Sequence, residues 1–328
     1  MKPPSTEWRE QVAPDEEDRF RRYGEQFVEF QKRRNARYGM GRALHRKQVL
    51  ALRATLTVLP DITEPAQHGL FAAPGVRDAW IRLSNATMNI RRDSAPDVRG
   101  FGLKVFGVSG PGALGGTATS QNFALVSVPG FSSPNAAQFA GLIVALSHGQ
   151  RAAFRHLVRT YGPLRGIRIA SSGRRILRSR FTGFATSRFY SAAAIRVGPY
   201  AARIRLLPHR SDVERDASAD LAADMRRHLE TGPVAYDLQL QFFTDEKRTP
   251  IENASTVWSE RESPFHTVAT LTVAPQALDG PDADAFAGTV ESSAFDPWNA
   301  LEEHRPLGDI MRARKVVYYA SEHERGAA

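Results

Sequence analysis

The sequence predicts an α+β protein built on an eight-stranded antiparallel β-barrel with helices packed around it. Eight runs are rich in strand-forming residues and are separated by Gly, Pro, Asn and Asp, which mark turns. Most consecutive runs have no helix between them, and this favours antiparallel pairing over a doubly wound sheet. A barrel of eight strands leaves room inside for side chains or one ligand. The predicted strands are residues 49–59, 79–84, 101–107, 121–128, 189–197, 200–207, 234–243 and 266–274.

Helical spacing predicts the elements outside the barrel. In the first helix, aromatic residues recur every three or four positions between Phe20 and Phe30. Asn135 and Ser218 are predicted N-caps of later helices. The predicted helices are residues 14–38, 135–147, 151–161, 217–231 and 307–325, whereas residues 107–116 and 278–300 are predicted loops. The predicted organisation is an N-terminal helical extension, residues 1–38, followed by one barrel domain, residues 39–328.

Composition limits the function classes. The chain has 44 basic and 35 acidic residues, a net charge of +9, but no recognised nucleic-acid motif. It has no cysteine, which excludes disulfides, cysteine-ligated iron–sulfur clusters and thiolate catalysis. No apolar run is long enough for a membrane span or a secretory signal, so a cytoplasmic protein is expected. The basic cluster at residues 174–180 (RRILRSR) is predicted to be a solvated face, with phosphate or membrane contact as the alternative.

The last predicted helix carries an arginine–tyrosine pair. Arg314 and Tyr318 are four residues apart and therefore lie on one face, and Arg325 continues the same stripe. A neighbouring cation favours the charged phenolate form of a tyrosine, and a phenolate suits ferric iron. Tyr319 lies off the stripe, which makes Tyr318 the candidate ligand. Taken alone, the pair also fits an ordinary surface stack on an amphipathic helix.

Polar residues mark the ends of several predicted strands. Arg42 and His45 lie three residues apart just before the first strand, and Arg82 and Ser84 share one face of the second. Asn122 begins the fourth strand. Singly, His45 fits a turn histidine, and Ser84 and Asn122 fit strand-end hydrogen-bonding residues.

Together these segments resemble the haem catalases, in particular the small catalase-related peroxidases that keep the core barrel. Five motifs occur in the family's order and with matching internal spacing across most of the chain. The matching positions are Arg42 with His45, Arg82 with Ser84, the segment from Asp97 to Lys104, Asn122, and Arg314 with Tyr318 and Arg325.

The resemblance implies a ferric haem b whose iron is held by Tyr318. It implies that His45 acts on bound peroxide as general base and then general acid, with Ser84 fixing its ring. Asn122 is expected to donate a hydrogen bond to the peroxide. The haem propionates are expected to pair with Arg42, Arg82 and Arg325, because guanidinium groups suit carboxylates.

The sequence also departs from the family's pattern. Leu44 precedes His45, where catalases usually have valine and coral-type allene oxide synthases have threonine. Phe131 is the candidate for the aromatic residue over the haem, at a shorter spacing than usual. The N-terminal arm, wrapping connection and C-terminal helical region of full catalases have no counterpart, so a more open haem is expected.

These features predict a haem peroxidase that reduces hydrogen peroxide or organic hydroperoxides and has weak catalase activity. The expected partners are a peroxide and a small organic reductant, with no nucleic acid, and a homodimer is allowed. Two alternatives remain open. One is a fatty-acid hydroperoxide isomerase, lyase or peroxygenase on the same scaffold, and the other is a haem-binding protein without turnover.

Overall fold

The centre of the computed structural model, which describes residues 2–178, 181–210 and 219–327, is one antiparallel sheet. Its strand order is β5-β4-β3-β2-β1-β9-β8-β7-β6. The strands are β1 (Gln48–Val58), β2 (Gly75–Asn85), β3 (Arg99–Pro111), β4 (Thr117–Val126), β5 (Phe189–Tyr190), β6 (Ile195–Val197), β7 (Tyr200–Pro208), β8 (Val234–Phe242) and β9 (Phe265–Val273).

The sheet closes because β5 pairs with both β4 and β7, which makes a ring of eight strands. The predicted eight-stranded barrel is therefore confirmed. The predicted strand at residues 189–197 is in fact two short strands, β5 and the additional β6. Ser191 interrupts it: its hydroxyl donates to the Ala193 carbonyl at 2.7 Å and accepts from the Ile204 amide at 3.0 Å. Ala192 adopts φ = 57°, which turns the chain.

The barrel core is filled by alternate residues of the strands. Ile81, Leu83, Phe101 and Leu103 are at most 1% exposed and belong to the main apolar cluster. Because strand side chains alternate, the residues between them face outward toward the surrounding helices. The site described below lies on this outer face of β2 and β3.

The described residues form seven α-helices around the barrel: α1 (Glu16–Tyr38), α2 (Ala136–Ser147), α3 (Gln150–Tyr161), α4 (Pro163–Arg178), α5 (Leu221–Glu230), α6 (Pro281–Ser292) and α7 (Asp309–Glu324). Asn135 caps α2 as predicted, since its side chain accepts from the Gln138 amide at 3.0 Å. Ser218 lies outside the described residues, and α5 is capped by Asp220 instead, which accepts from the Ala223 amide.

Two loop predictions are only partly correct. Residues 107–111 belong to β3, and only residues 112–116 form the turn to β4. Residues 278–300 contain α6, which begins with Pro281 at its first turn and with Asp282 and Asp284 beside its N-terminus. Helix α4 was not predicted.

Helix α1, which makes up most of the predicted N-terminal extension, packs along α7. Gly24 makes the close approach possible: a Cβ there would lie 3.6 Å from Ala320 Cβ and from Val316 Cγ1. Phe20, on the same helix, is buried in a cluster with Ile310 of α7. Helix α1 therefore packs directly against α7, and the division at residue 38 stays a prediction.

Candidate functional site

A largely apolar cavity lies between the outer face of the barrel and helices α1, α2 and α7. Its volume is about 190 Å³. His45 and Ser84 line it from the barrel, and Arg314 and Tyr318 line it from α7. Two polar pairs that are distant in sequence thus meet at one cavity.

His45 is held by two hydrogen bonds to residues at the end of β2. Its Nδ1 lies 3.0 Å from Ser84 Oγ, and its backbone amide donates to the Ala86 carbonyl at 3.0 Å. Its φ of 52° is in the left-handed region, which is uncommon outside glycine. Because Nδ1 is engaged with Ser84, Nε2 is the ring nitrogen left to act on a ligand.

A glycine on β3 makes room for the histidine ring. A Cβ at Gly100 would lie 2.3 Å from His45 Nδ1 and 2.5 Å from Ser84 Oγ, so no larger residue fits without moving the pair. Gly100 faces Ser84 across the β2–β3 ladder. The Gly100 position thus belongs to the site, although only its neighbours were singled out from the sequence.

The charge state of His45 follows from its surroundings. Burial, and then the positive charges of Arg82, Arg314 and Arg42, lower the pKa of His45 to about 3. Its imidazole is therefore neutral at physiological pH. A neutral ring can accept a proton at Nε2, which an imidazolium cannot do.

On α7, Arg314 Nη2 donates to the phenol oxygen of Tyr318 at 2.5 Å, and the guanidinium carbon lies 4.8 Å from the ring centroid. This is the contact that the spacing of four residues predicted. Tyr319 is 67% exposed and does not line the cavity. The structure thus separates the two neighbouring tyrosines as expected.

Two of the three arginines predicted to hold propionates pair with one carboxylate of the chain, and the third donates to backbone carbonyls beside it. Arg42 Nη1 donates to Glu291 Oε1 at 2.7 Å, and Arg82 Nε donates to Glu291 Oε2 at 2.8 Å. Arg325 donates to the carbonyl oxygens of residues 291–293 at 3.0–3.3 Å. The structure brings these arginines together at one edge of the cavity, and Glu291, at the end of α6, was missed because α6 was not predicted.

This arginine edge, defined by Arg42, Arg82 and Arg325, is buried and strongly positive. Burial and the charge of Arg42 lower the pKa of Arg82 to about 9 and that of Arg325 to about 10. Arg82 and Arg325 remain charged at neutral pH. The Nε of Arg325 is buried and has no hydrogen-bond partner among the described residues. Glu291 pairs with Arg42 and Arg82, and Glu322 lies 3.8 Å from Arg325, so three guanidinium groups face two carboxylates at this edge.

Asn122 is not among the residues that line the cavity, and its predicted role toward the peroxide stays a prediction. Its side-chain Nδ2 donates to the Asp296 carbonyl at 3.1 Å, and its backbone amide donates to the Asn299 carbonyl at 2.9 Å. The loop after α6 thus takes up its hydrogen-bonding groups. Ala124, two positions further along β4, lines the cavity. No Asn or Gln is among the described residues that line it.

The cavity contains further groups that sequence reasoning missed. Glu322 lines it one turn after Tyr318, on the stripe of α7 that already carried the candidate ligand. Burial raises the pKa of Glu322, and burial raises that of the nearby Asp296 to about 7. The helical spacing could have identified Glu322. Leu44 and Phe131, both noted from the sequence, also line the cavity.

Solved catalases share this architecture. A fungal catalase matches with a TM-score of 0.68 and 16% sequence identity, over 88% of this chain and 60% of its own. Catalase A from Saccharomyces cerevisiae matches with a TM-score of 0.69 and 16% identity, over 88% of this chain and 62% of its own. The chain has a catalase fold.

A bacterial catalase matches this catalase fold over 100% of the chain and 63% of its own length, with a TM-score of 0.65 and 15% identity. The chain thus spans about three-fifths of the length of these catalases. No family model and no curated protein sequence matches it. Within the described ranges, no helix is both long and apolar enough to cross a membrane, and no group of three His, Cys, Asp or Glu side chains could hold a metal ion.

Proposed function

We propose that the protein is a haem-dependent peroxidase that acts on hydrogen peroxide or organic hydroperoxides. One observation carries the proposal: His45 with Ser84, and Tyr318 with Arg314, line the same cavity of a catalase fold. The catalases that share the fold suggest oxidoreductase chemistry, and the two pairs suit the two faces of a haem.

The residues present fit a ferric haem b. The phenol oxygen of Tyr318 is a hard ligand, and Arg314 donates to it. The arginine edge already binds a carboxylate, that of Glu291, and still has an unpartnered buried donor on Arg325. Propionates are carboxylates, so the edge suits them. Apolar side chains of α1 and α2, such as Phe27 and Phe139, provide walls for a flat apolar ring.

Each polar residue then has a role. Tyr318 would hold the iron, and the bound haem would supply the electrons that cleave the peroxide O–O bond. His45 Nε2 would take a proton from one peroxide oxygen and return it to the departing oxygen. Ser84 orients the ring through Nδ1, and the arginine edge would hold the propionates.

We expect weak catalase activity because the Asn122 side chain donates to the Asp296 carbonyl and does not line the cavity. Without a side-chain amide in the cavity, His45 alone would guide the proton transfer. Peroxide turnover with an added reductant is therefore favoured over dismutation of hydrogen peroxide.

A second candidate is a fatty-acid hydroperoxide isomerase, lyase or peroxygenase. The observation that favours it is the apolar part of the cavity wall, to which Leu44, Phe131 and Phe139 contribute. Such a wall would accommodate an alkyl chain better than a polar reductant.

The test is reconstitution of the full chain with haemin, followed by steady-state oxidation of a phenolic reductant. We expect turnover well above that of free haemin, and its loss in His45→Asn, which keeps the left-handed backbone because Asn tolerates φ = 52°. Turnover no faster than that of free haemin would contradict the peroxidase proposal and support only haem binding. Rearranged or cleaved products from a lipid hydroperoxide, formed without reductant, would favour the second candidate.

A further inference from the structure

The α3–α4 hairpin has an unusual charge. Its two helices contain eight arginines and no acidic residue. The whole segment from residue 98 to residue 211 contains no Asp or Glu. The net charge of the chain is therefore concentrated in this part of the sequence, and the hairpin presents a cationic surface with no carboxylates of its own.

The same hairpin exposes large apolar side chains. Leu164 is 84% exposed, Ile167 is 50% exposed and Phe154 of α3 is 44% exposed. Leu164, Ile167 and Arg168 lie within one turn on the outer face of α4. The opposite face is fixed against α3, since a Cβ at Gly166 would lie 2.9 Å from the Leu157 carbonyl. Apolar residues and arginines thus share a surface that the described part of the chain leaves exposed.

The hairpin adjoins the cavity through α2. Helix α3 packs on α2, and α4 packs on α3. Helix α2 in turn supplies Phe139 and Ala140 to the cavity wall. A surface bound by the hairpin would therefore lie beside the helix that borders the candidate site.

We propose that the outer face of the α3–α4 hairpin docks on anionic phospholipid bilayers. Basic helices that expose apolar side chains bind at membrane interfaces, where the arginines meet lipid phosphates and the apolar groups enter the acyl boundary. A second copy of the chain is a poorer occupant, because it would set one arginine-rich hairpin without carboxylates against another. Nucleic acid would pair with the arginines but would leave Leu164 and Ile167 without a role.

The test is sedimentation of the full chain with vesicles. We expect binding to mixed phosphatidylcholine–phosphatidylglycerol vesicles that weakens with salt, and little binding to pure phosphatidylcholine. Replacing Leu164 and Ile167 by Ser should weaken binding, whereas Val12→Ser with Val257→Ser, at positions 66% and 56% exposed elsewhere, should not.

A second pair of variants tests the charge. Arg151→Gln, Arg159→Gln and Arg168→Gln together should weaken partitioning at least about tenfold. Arg9→Gln, Arg22→Gln and Arg92→Gln remove the same charge from other exposed positions and should have a much smaller effect. Thermal melts check that all variants are folded.

Three results would overturn the proposal. One is no binding of the unmodified chain to anionic vesicles. Another is an equal loss of vesicle binding in the hairpin variants and in their matched controls, which would indicate that net charge alone attracts the protein to the vesicles. The third is tighter binding to duplex DNA than to vesicles, unaffected by Leu164→Ser and Ile167→Ser. None of these measurements uses activity, so they are independent of the proposed peroxidase function.

Discussion

Glu291 accepts a hydrogen bond from the buried guanidinium of Arg82 at 2.8 Å, and this pair closes one edge of the cavity. Arg82 is 3% exposed and also donates to the His45 carbonyl at 2.9 Å. A carboxylate of the chain thus already pairs with arginines that line the cavity. If Arg42 and Arg82 hold the carboxylates of the proposed cofactor, Glu291 would compete with them.

Glu291→Gln is therefore expected to have two opposite effects. It removes the charge partner of Arg42 and Arg82, so the haem-free protein should lose about 1–2 kcal/mol of stability. The freed guanidiniums should bind haemin several-fold more tightly. Denaturant melts and haemin titrations measure the two effects, with Glu303→Gln, at an exposed residue, as the control. Weaker haemin binding in Glu291→Gln would contradict this account of the edge.

Gly100→Ala tests the fit around His45. The new methyl group would lie 2.3 Å from Nδ1, so the imidazole must move, and overpacking of this kind costs about 1–3 kcal/mol. We expect peroxide turnover to fall while haemin still binds. Gly75→Ala is the matched control, because nothing lies within 4 Å of a Cβ there. Equal activity of the two variants would show that the position of the ring is unimportant.

Ser84→Ala tests the orientation of the same ring. Without its hydroxyl, Nδ1 loses its partner at 3.0 Å and the ring gains freedom to rotate. As Ser84 is a positioning residue, kcat should fall about tenfold, less than the loss in His45→Asn. Ser84→Thr, which keeps the hydroxyl, should recover part of the activity, and Ser321→Ala, at another cavity serine, should change little. A pH–rate profile is the second measurement, because a loosened, more hydrated ring should titrate at higher pH.

The low pKa of His45 also predicts a pH dependence of stability. The histidine titrates near pH 3 in the folded chain and near its ordinary value of about 6.5 when unfolded. Below about pH 6.5 the unfolded state therefore binds an extra proton, and this contribution to stability falls as the pH drops towards 3. When the pH falls from about 7 to about 5, the free energy of unfolding of haem-free His45→Asn should decrease by about 1–2 kcal/mol less than that of the unmodified chain. Parallel denaturant curves at both pH values measure this difference, and identical losses would contradict a neutral, enclosed His45.

Much of the fold could be predicted from sequence because its strands are rich in strand-forming residues and are separated by clear turn residues. The break between β5 and β6 could not, since it depends on the long-range hydrogen bond between Ser191 and the Ile204 amide. Helix α6 was missed because its composition is loop-like and its start depends on Pro281.

The candidate site likewise contains contacts that the local sequence could predict and contacts that it could not. The Arg314–Tyr318 contact follows from local helical spacing and was predictable. The capture of Asn122 by the Asp296 carbonyl depends on a loop far away in sequence, as does the carboxylate that Glu291 brings to Arg42 and Arg82. Contacts of this kind have no local pattern.

The absorption spectrum of the haemin-reconstituted chain tests most directly whether Tyr318 holds a haem iron, as we propose. Tyr318→Phe removes only the phenol oxygen, and Tyr319→Phe makes the same change at the exposed neighbour. We predict that Tyr318→Phe alters the spectrum and weakens haem retention, while Tyr319→Phe leaves both unchanged. An unaltered spectrum in Tyr318→Phe would contradict the assignment.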